Sequence, residues 1–268
     1  MKMEIRDHWL FGGNASTTET LNMGGLITPE YLVIHFTAGP SAQSAIDHFR
    51  DPSAQVSAHV VIGRQGEICQ VVPFNRKAWH AGQSAWAGRQ GLNGFSIGIE
   101  FDNAGKLTNI GETYQAWFGG RDAESEIVQA RHKNEQDLSY WHAFTEKQIS
   151  TGLDLAKLLI RSYGLRDILG HDDIAPGRKV DPGPAFPMRS FRSYLFGRGD
   201  DELPQYEVIA GLLNVRGGPG TEFAPVMPPI SRGTRLSLHE MQAYWARVML
   251  SDGTKQEGWV NNVFIKPV

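Results

Sequence analysis

The chemically promising residues in this chain are histidines with acids close by. Nine histidines are present, at 8, 35, 48, 59, 80, 132, 142, 171 and 239. His35 sits near the end of the apolar run Tyr31-Leu-Val-Ile-His35-Phe36, just before the breaker Thr37-Ala-Gly-Pro40. His171 follows Ile168-Leu-Gly170 and opens a loop rich in proline and glycine that reaches Phe186. Loops carried on a rigid scaffold are where binding and catalytic residues concentrate. Two histidines and one carboxylate form a donor set for catalytic zinc, which takes three protein ligands and leaves one position for water. Spacing alone leaves the carboxylate open among Asp172, Asp173 and Asp181. Lys179 adds weight to Asp181, because residues two apart in an extended segment point to the same face. Its ammonium would then face the metal and could stabilise an oxyanion.

The other candidates read more plainly. His59 lies inside a strand pattern and is expected to be buried and hydrogen-bonded, not a fourth ligand. His48 falls on a helix, and His132 and His142 fall in a polar segment where solvation is expected. Cys69, in Glu67-Ile-Cys-Gln-Val-Val72, reads as a small strand residue. As the only cysteine it excludes an intrachain disulfide. No Gly-x-Ser-x-Gly elbow is visible, and Ser57 and Ser96 lie within strand patterns, which argues against a serine hydrolase.

These groups need a scaffold, and the pattern supplies one. Residues 31–36 form a buried strand, and Ser41 caps a short helix through Phe49. Residues 57–63 and 67–72 flank a tight turn at 64–66, which predicts a hairpin. Residues 95–101 are a further strand with Gly98 at its middle, a position that often marks a bend or a close approach. Residues 102–144 are polar and irregular, with aromatics at Tyr114, Trp117, Phe118, Tyr140 and Trp141, and suggest a lid or binding loop. Thr145 and Gln148 form a capping box for a helix ending at Tyr163–Gly164. Its apolar stripe is Ile149, Leu153, Ala156, Ile160 and Tyr163. A short helix is expected over residues 188–195. Residues 197–204 form a polar linker. Beyond it, short β-type runs at 206–210, 235–239, 243–250 and 258–260 point to a small all-β unit.

Five segments together resemble the zinc-dependent N-acetylmuramoyl-L-alanine amidases, the group related to AmpD, to phage lysozyme-type amidases and to peptidoglycan recognition proteins. They are Val33-Ile-His35-Phe-Thr-Ala-Gly39, Ser57-Ala-His59-Val-Val-Ile, Ala78-Trp-His-Ala-Gly82, Asn93-Gly-Phe-Ser-Ile-Gly-Ile-Glu100, and Gly170-His171 with Gly177-Arg-Lys-Val-Asp-Pro-Gly-Pro-Ala-Phe186. They occur in the family's order over residues from about 30 to 190. The resemblance implies an α/β domain with a central mixed β-sheet flanked by helices, spanning 1–198 with an insert at 102–144. It implies one Zn2+ held by His35, His171 and Asp181. Glu100 matches the general base and later acid, and Lys179 matches the oxyanion-stabilising position. The nucleophile would be the zinc's water, and the bond cut would be the amide between N-acetylmuramic acid and L-alanine of the stem peptide. Trp79, His80, Arg89 and Asn93 match substrate-groove positions, an aromatic suiting a sugar face and arginine a carboxylate. Residues 203–268 resemble bacterial SH3-like barrels through Gly211-Leu-Leu-Asn-Val-Arg-Gly-Gly-Pro-Gly220 and Glu257-Gly-Trp-Val260, with Gly217 where serine is usual. That unit would bind cell-wall peptides. The rival reading is a non-catalytic peptidoglycan-recognition protein.

Composition fits this picture. Charged residues make up 21% and the formal net charge is -3, so nothing suggests capture of nucleic acid or an anionic surface. No apolar stretch reaches the ~20 residues of a membrane span. The N-terminus lacks the apolar core of a signal peptide. The expectation is therefore a cytoplasmic product as synthesised, with export by another route or release on lysis left open, and peptidoglycan or muropeptides as partners.

Overall fold

The structure, a computed structural model, describes residues 2–111, 113–119, 121–122, 126–196, 204–254 and 256–268. The expected linker lies outside these residues except for Pro204. A six-stranded mixed sheet forms the centre, in the order 167–170, 31–36, 96–101, 60–62, 68–70 and 15–17. The first four run parallel to one another, and 60–62 turns back antiparallel into 68–70, the predicted hairpin. Buried on both faces, the parallel strands carry the continuous apolar runs such strands need. Leu32, Val33 and Ile34 are all fully buried.

Helices cover the sheet, as expected. Ser41 caps Ala42–Arg50 and Thr145 caps Glu146–Tyr163, each through a reciprocal capping box. The long helix stops at Gly164, and a shorter one spans Met188–Phe196. The long helix is rotated from its predicted orientation. Its deepest face is Gln148, Gly152, Leu155, Ala156 and Leu159, whereas Ile149, Leu153, Ile160 and Tyr163 are only partly buried. Two contacts that a hydrophobic count does not register cause this. A Cβ on Gly152 would come within 2.5 Å of the Phe101 ring, so glycine lets helix and sheet close up. Gln148 donates through Nε2 to the carbonyl of Asp102 at 2.8 Å, which repays the burial of its amide.

The expected irregularity of 102–144 is not found: its described residues include a five-stranded antiparallel sheet whose apolar side holds Ala104, Leu107 and Ala116 under Tyr114, Phe118, Ile127 and Tyr140. His132 and His142, expected in solvent, are 1% and 8% exposed. Each is hydrogen-bonded: His132 Nε2 faces Asp172 Oδ2 at 3.0 Å, and His142 Nδ1 accepts the amide of Ala104 at 3.0 Å. Lys133 bridges Asp172 and Asp173, and Arg192 pairs with Asp173 at 2.9 Å. Burial alone would raise the Asp173 carboxyl, but Lys133 and Arg192 outweigh it and hold it well below the usual range. The short polar strands were illegible in the sequence because their core is small and the acids that fix His132 and Lys133 lie some 40 residues away.

The C-terminal residues build a second five-stranded sheet from 257–261, 245–250, 235–242, 205–208 and 265–267. It shares one apolar core with the central domain. Tyr31, Val33, Ala81, Trp86, Leu92 and Leu169 cluster with Tyr206, Val208, Leu236 and Val248. Trp86 meets Tyr206 edge to face at 6.1 Å between centroids. An aromatic of this kind buries 150–250 Å², so uncovering Trp86 alone would cost roughly 4–6 kcal/mol at about 25 cal/mol per Å². That is comparable to a typical total stability of 5–15 kcal/mol. We therefore predict that a chain ending at residue 198 loses its cooperative thermal transition or aggregates. Calorimetry of the truncated and full chains tests this; an unchanged transition would show that the shared core contributes nothing.

Candidate active site

Strand register assembles the site. In the parallel sheet Gly170 lies beside Ile34, and Glu100 lies beside His35. The residue after Gly170 is His171, so His171, His35 and Glu100 arise side by side at the carboxyl ends of three adjacent strands. Open α/β sheets bind their ligands at that end. The loop after His171 folds back so that the amide of Asp172 donates to the carbonyl of Asp181 at 2.8 Å, which brings Asp181 to the histidines.

Three atoms converge there. His35 Nδ1, His171 Nδ1 and Asp181 Oδ2 are each 2.9 Å from the other two, and all three residues are buried. Their partners show where the protons sit. Ser96 donates through Oγ to the Leu92 carbonyl at 2.6 Å, so its oxygen accepts from His80 Nε2 at 3.3 Å. His80 Nδ1 is then a lone pair, and it accepts from His35 Nε2 at 2.9 Å. His171 Nε2 donates to the Ala81 carbonyl at 3.2 Å. Both Nδ1 atoms are therefore lone pairs aimed at a carboxylate oxygen. Burial, then the neighbouring His171, pushes His35 down to about 4, so protonation at neutral pH does not relieve the crowding. Three acceptors with no proton between them repel unless a cation joins them, so this donor set fits a metal ion. Tetrahedral zinc with ligands at 2.0–2.2 Å would set them about 3.3 Å apart, a small expansion.

A cavity of about 320 Å³ opens on the cluster. Its walls include Trp79, His80, Glu100, Arg178 and Lys179. Glu100 Oε2 is buried without a hydrogen-bond partner among the described residues. Burial, then the charge of Asp181, pushes its carboxyl well above the usual range, and Lys179 opposes this. An acid poised this way can take and return a proton.

Not every expected residue reaches the cavity. Arg89 is occupied by Glu30 at 2.6 Å and lies over the Phe95 ring at 4.7 Å, outside the cavity walls. Asn93 accepts the amides of His80 and Ala81 at 3.0 and 2.7 Å through Oδ1, so it shapes the loop that carries His80. Asp172 and Asp173, left open by spacing, are consumed by Lys133 and Arg192. His59 bonds to backbone through both ring nitrogens, as expected of a structural histidine. His80 lies mainly behind His35, which the sequence did not distinguish from a groove position. Gly98 held the clue: a Cβ there would sit 2.6 Å from the His80 ring, so the mid-strand glycine makes room for it.

His80 therefore sets the tautomer of His35. Outer-shell partners of this kind are worth about 10–100-fold in metal affinity. We predict that H80A weakens zinc binding by that factor in a chelator competition, with a smaller loss for H80N. Unchanged affinity in H80A would show that His35 needs no such support.

The N-acetylmuramoyl-L-alanine amidase family profile matches residues 26–184. The chain is 35% identical over 182 residues to the 1,6-anhydro-N-acetylmuramyl-L-alanine amidase AmpD of Escherichia coli K12, covering 62% of this chain and 81% of that one. It is 33% identical over 189 residues to the N-acetylmuramoyl-L-alanine amidase AmiD of the same organism, covering 67% of this chain and 58% of that protein. The crystal structure of a selenomethionine AmpD derivative superposes with a TM-score of 0.50 at 28% identity, over 71% of this chain and 98% of that one. The chain belongs to the N-acetylmuramoyl-L-alanine amidase family and is an enzyme of that class. No described helix is long and apolar enough to cross a membrane.

Proposed function

We propose that this enzyme hydrolyses the amide between N-acetylmuramic acid and L-alanine in peptidoglycan or its muropeptides. His35, His171 and Asp181 would hold one zinc, with Glu100 and Lys179 acting beside it. The observation that carries this is the meeting of His35 Nδ1, His171 Nδ1 and Asp181 Oδ2 at 2.9 Å beside Glu100, whose Oε2 is buried without a hydrogen-bond partner among the described residues. Zinc, when bound, supplies a Lewis acid that polarises a carbonyl and lowers the pKa of its water to about 7. The residues do the rest. Glu100 takes the proton of the attacking water and returns it to the leaving amine. Lys179 sets its positive charge where an oxyanion develops. Trp79, on the cavity wall, guides the sugar and first peptide residue to the cluster.

We also infer a division of labour along the chain, with 1–198 catalytic and 203–268 an SH3-like unit that holds wall peptides. The residues Gly211 to Gly220 and Glu257 to Val260 support that likeness. Cleavage of soluble muropeptides in cytoplasmic recycling, phage-type lysis and attack on intact wall by an exported effector all fit the site.

Mass spectrometry of products from whole sacculi and from a soluble anhydro-muropeptide tests the reading. The expected result is free stem peptide beginning with L-alanine, lost on chelation and restored by zinc. Binding without release of stem peptide would leave only a recognition role, and cleavage elsewhere in the peptide would overturn the assignment.

A further inference from the structure

Trp117 is the outlier of the insert. Its side chain is 78% exposed, although the sheet beneath it is packed. Large aromatics are normally buried over much of their area. The indole is nevertheless held in place. Its Nε1 donates to the Ala38 carbonyl at 2.6 Å, and Ala38 lines the mouth of the cavity. Ala38 has a φ of +48°, a conformation uncommon for a residue with a side chain. Phe118 buttresses the indole edge to face at 5.8 Å and is itself packed on the insert core. The insert is anchored in turn by His132 and Lys133 to Asp172 and Asp173, which directly follow His171.

The indole therefore has an unusual presentation. Its only hydrogen-bond donor is consumed within the protein, so what it offers a ligand is its flat π-face. A peptide, rich in carbonyls and amides, gains little from such a surface. A pyranose ring gains more, because one face of it presents aliphatic C–H groups and matches the plate in size. We propose that Trp117 is a sugar-stacking platform at the rim of the active site, which binds a pyranose ring of the glycan attached to the scissile muramoyl amide. This rests on the hydrolytic reading above and names a specificity element within it. It gives the insert a role: a fixed wall that selects substrates still carrying sugar.

Two measurements on the full-length protein test the platform. The first compares W117A, W117F and wild type on a disaccharide-peptide and on a lactoyl-peptide that has the same amide but no sugar. The expected result is a rise of about tenfold in the ratio of the two KM values for W117A, with W117F close to wild type. Equal rises on both substrates, or none, overturn the proposal. The second uses the N-acetylglucosaminyl-N-acetylmuramic acid disaccharide, which has no amide to cut, in a calorimetric titration. Binding that weakens about tenfold in W117A supports the platform whether or not hydrolysis occurs. Equal binding by both proteins overturns it. Failure of wild type to release stem peptide, with sugar binding intact, would count against the hydrolytic reading alone.

Discussion

Replacing Glu100 with glutamine is expected to lower kcat by about 10²- to 10⁴-fold while leaving metal binding intact. Each tenfold is about 1.36 kcal/mol of barrier, so the effect corresponds to roughly 3–5 kcal/mol. The change keeps the shape of the side chain and removes its ability to carry a proton. Glu100 is next to His35 in strand register, yet His35 Nδ1 is directed to His171 and Asp181 instead. The donor cluster therefore stays whole in E100Q. Stability should not fall either, because the Glu100 carboxyl is already disfavoured as a charge by burial and by Asp181. The measurements are single-turnover kinetics, zinc content and thermal unfolding on the same preparation. Activity within tenfold of wild type would remove Glu100 from the proton-transfer role. Loss of zinc together with activity would mean that it acts on the cluster and not on the chemistry.

The second large effect concerns the metal. Replacing Asp181 with alanine is expected to weaken zinc binding beyond the roughly 100-fold seen for outer-shell losses, since a direct donor is removed. The two imidazole lone pairs would then face each other at 2.9 Å without the carboxylate. Activity should drop to that of chelated wild type. The sharper test is the contrast with D173A. Asp173 accepts the amide of Gly170 at 2.6 Å and pairs with Lys133 and Arg192, so its loss should lower the melting temperature and leave zinc affinity near wild type. Chelator competition and melting curves on both variants decide between them. Zinc affinity that falls in D173A and not in D181A would reverse the assignment of the third ligand.

Much of the scaffold was legible in the sequence because its causes are local. Four apolar residues in a row, Tyr31 to Ile34, can only be a strand buried on both sides or a buried helix segment, and the Gly39-Pro40 break settles the length. Thr145 with Gln148, and Gly164 behind Tyr163, are chemical instructions for starting and stopping a helix. The insert was misread for the opposite reason. Its strands are short and polar, and His132 and Lys133 are tied down by acids some 40 residues away in the chain.

The two histidines and the three candidate aspartates show the same division. Residue types and spacing determined the donors available and the carboxylates in contention, because ligand chemistry is a property of side chains. Only the tertiary structure decided which aspartate turns inward. Asp172 and Asp173 are drawn away by Lys133 and Arg192, cations that come from other elements, and the return of the loop delivers Asp181 to the histidines. The direction of each imidazole was decided in the same way. It depends on a proton chain from Leu92 through Ser96 and His80 to His35, and Gly98 leaves the space for that ring. Such contacts join residues with no fixed spacing, so the folded chain alone reveals them.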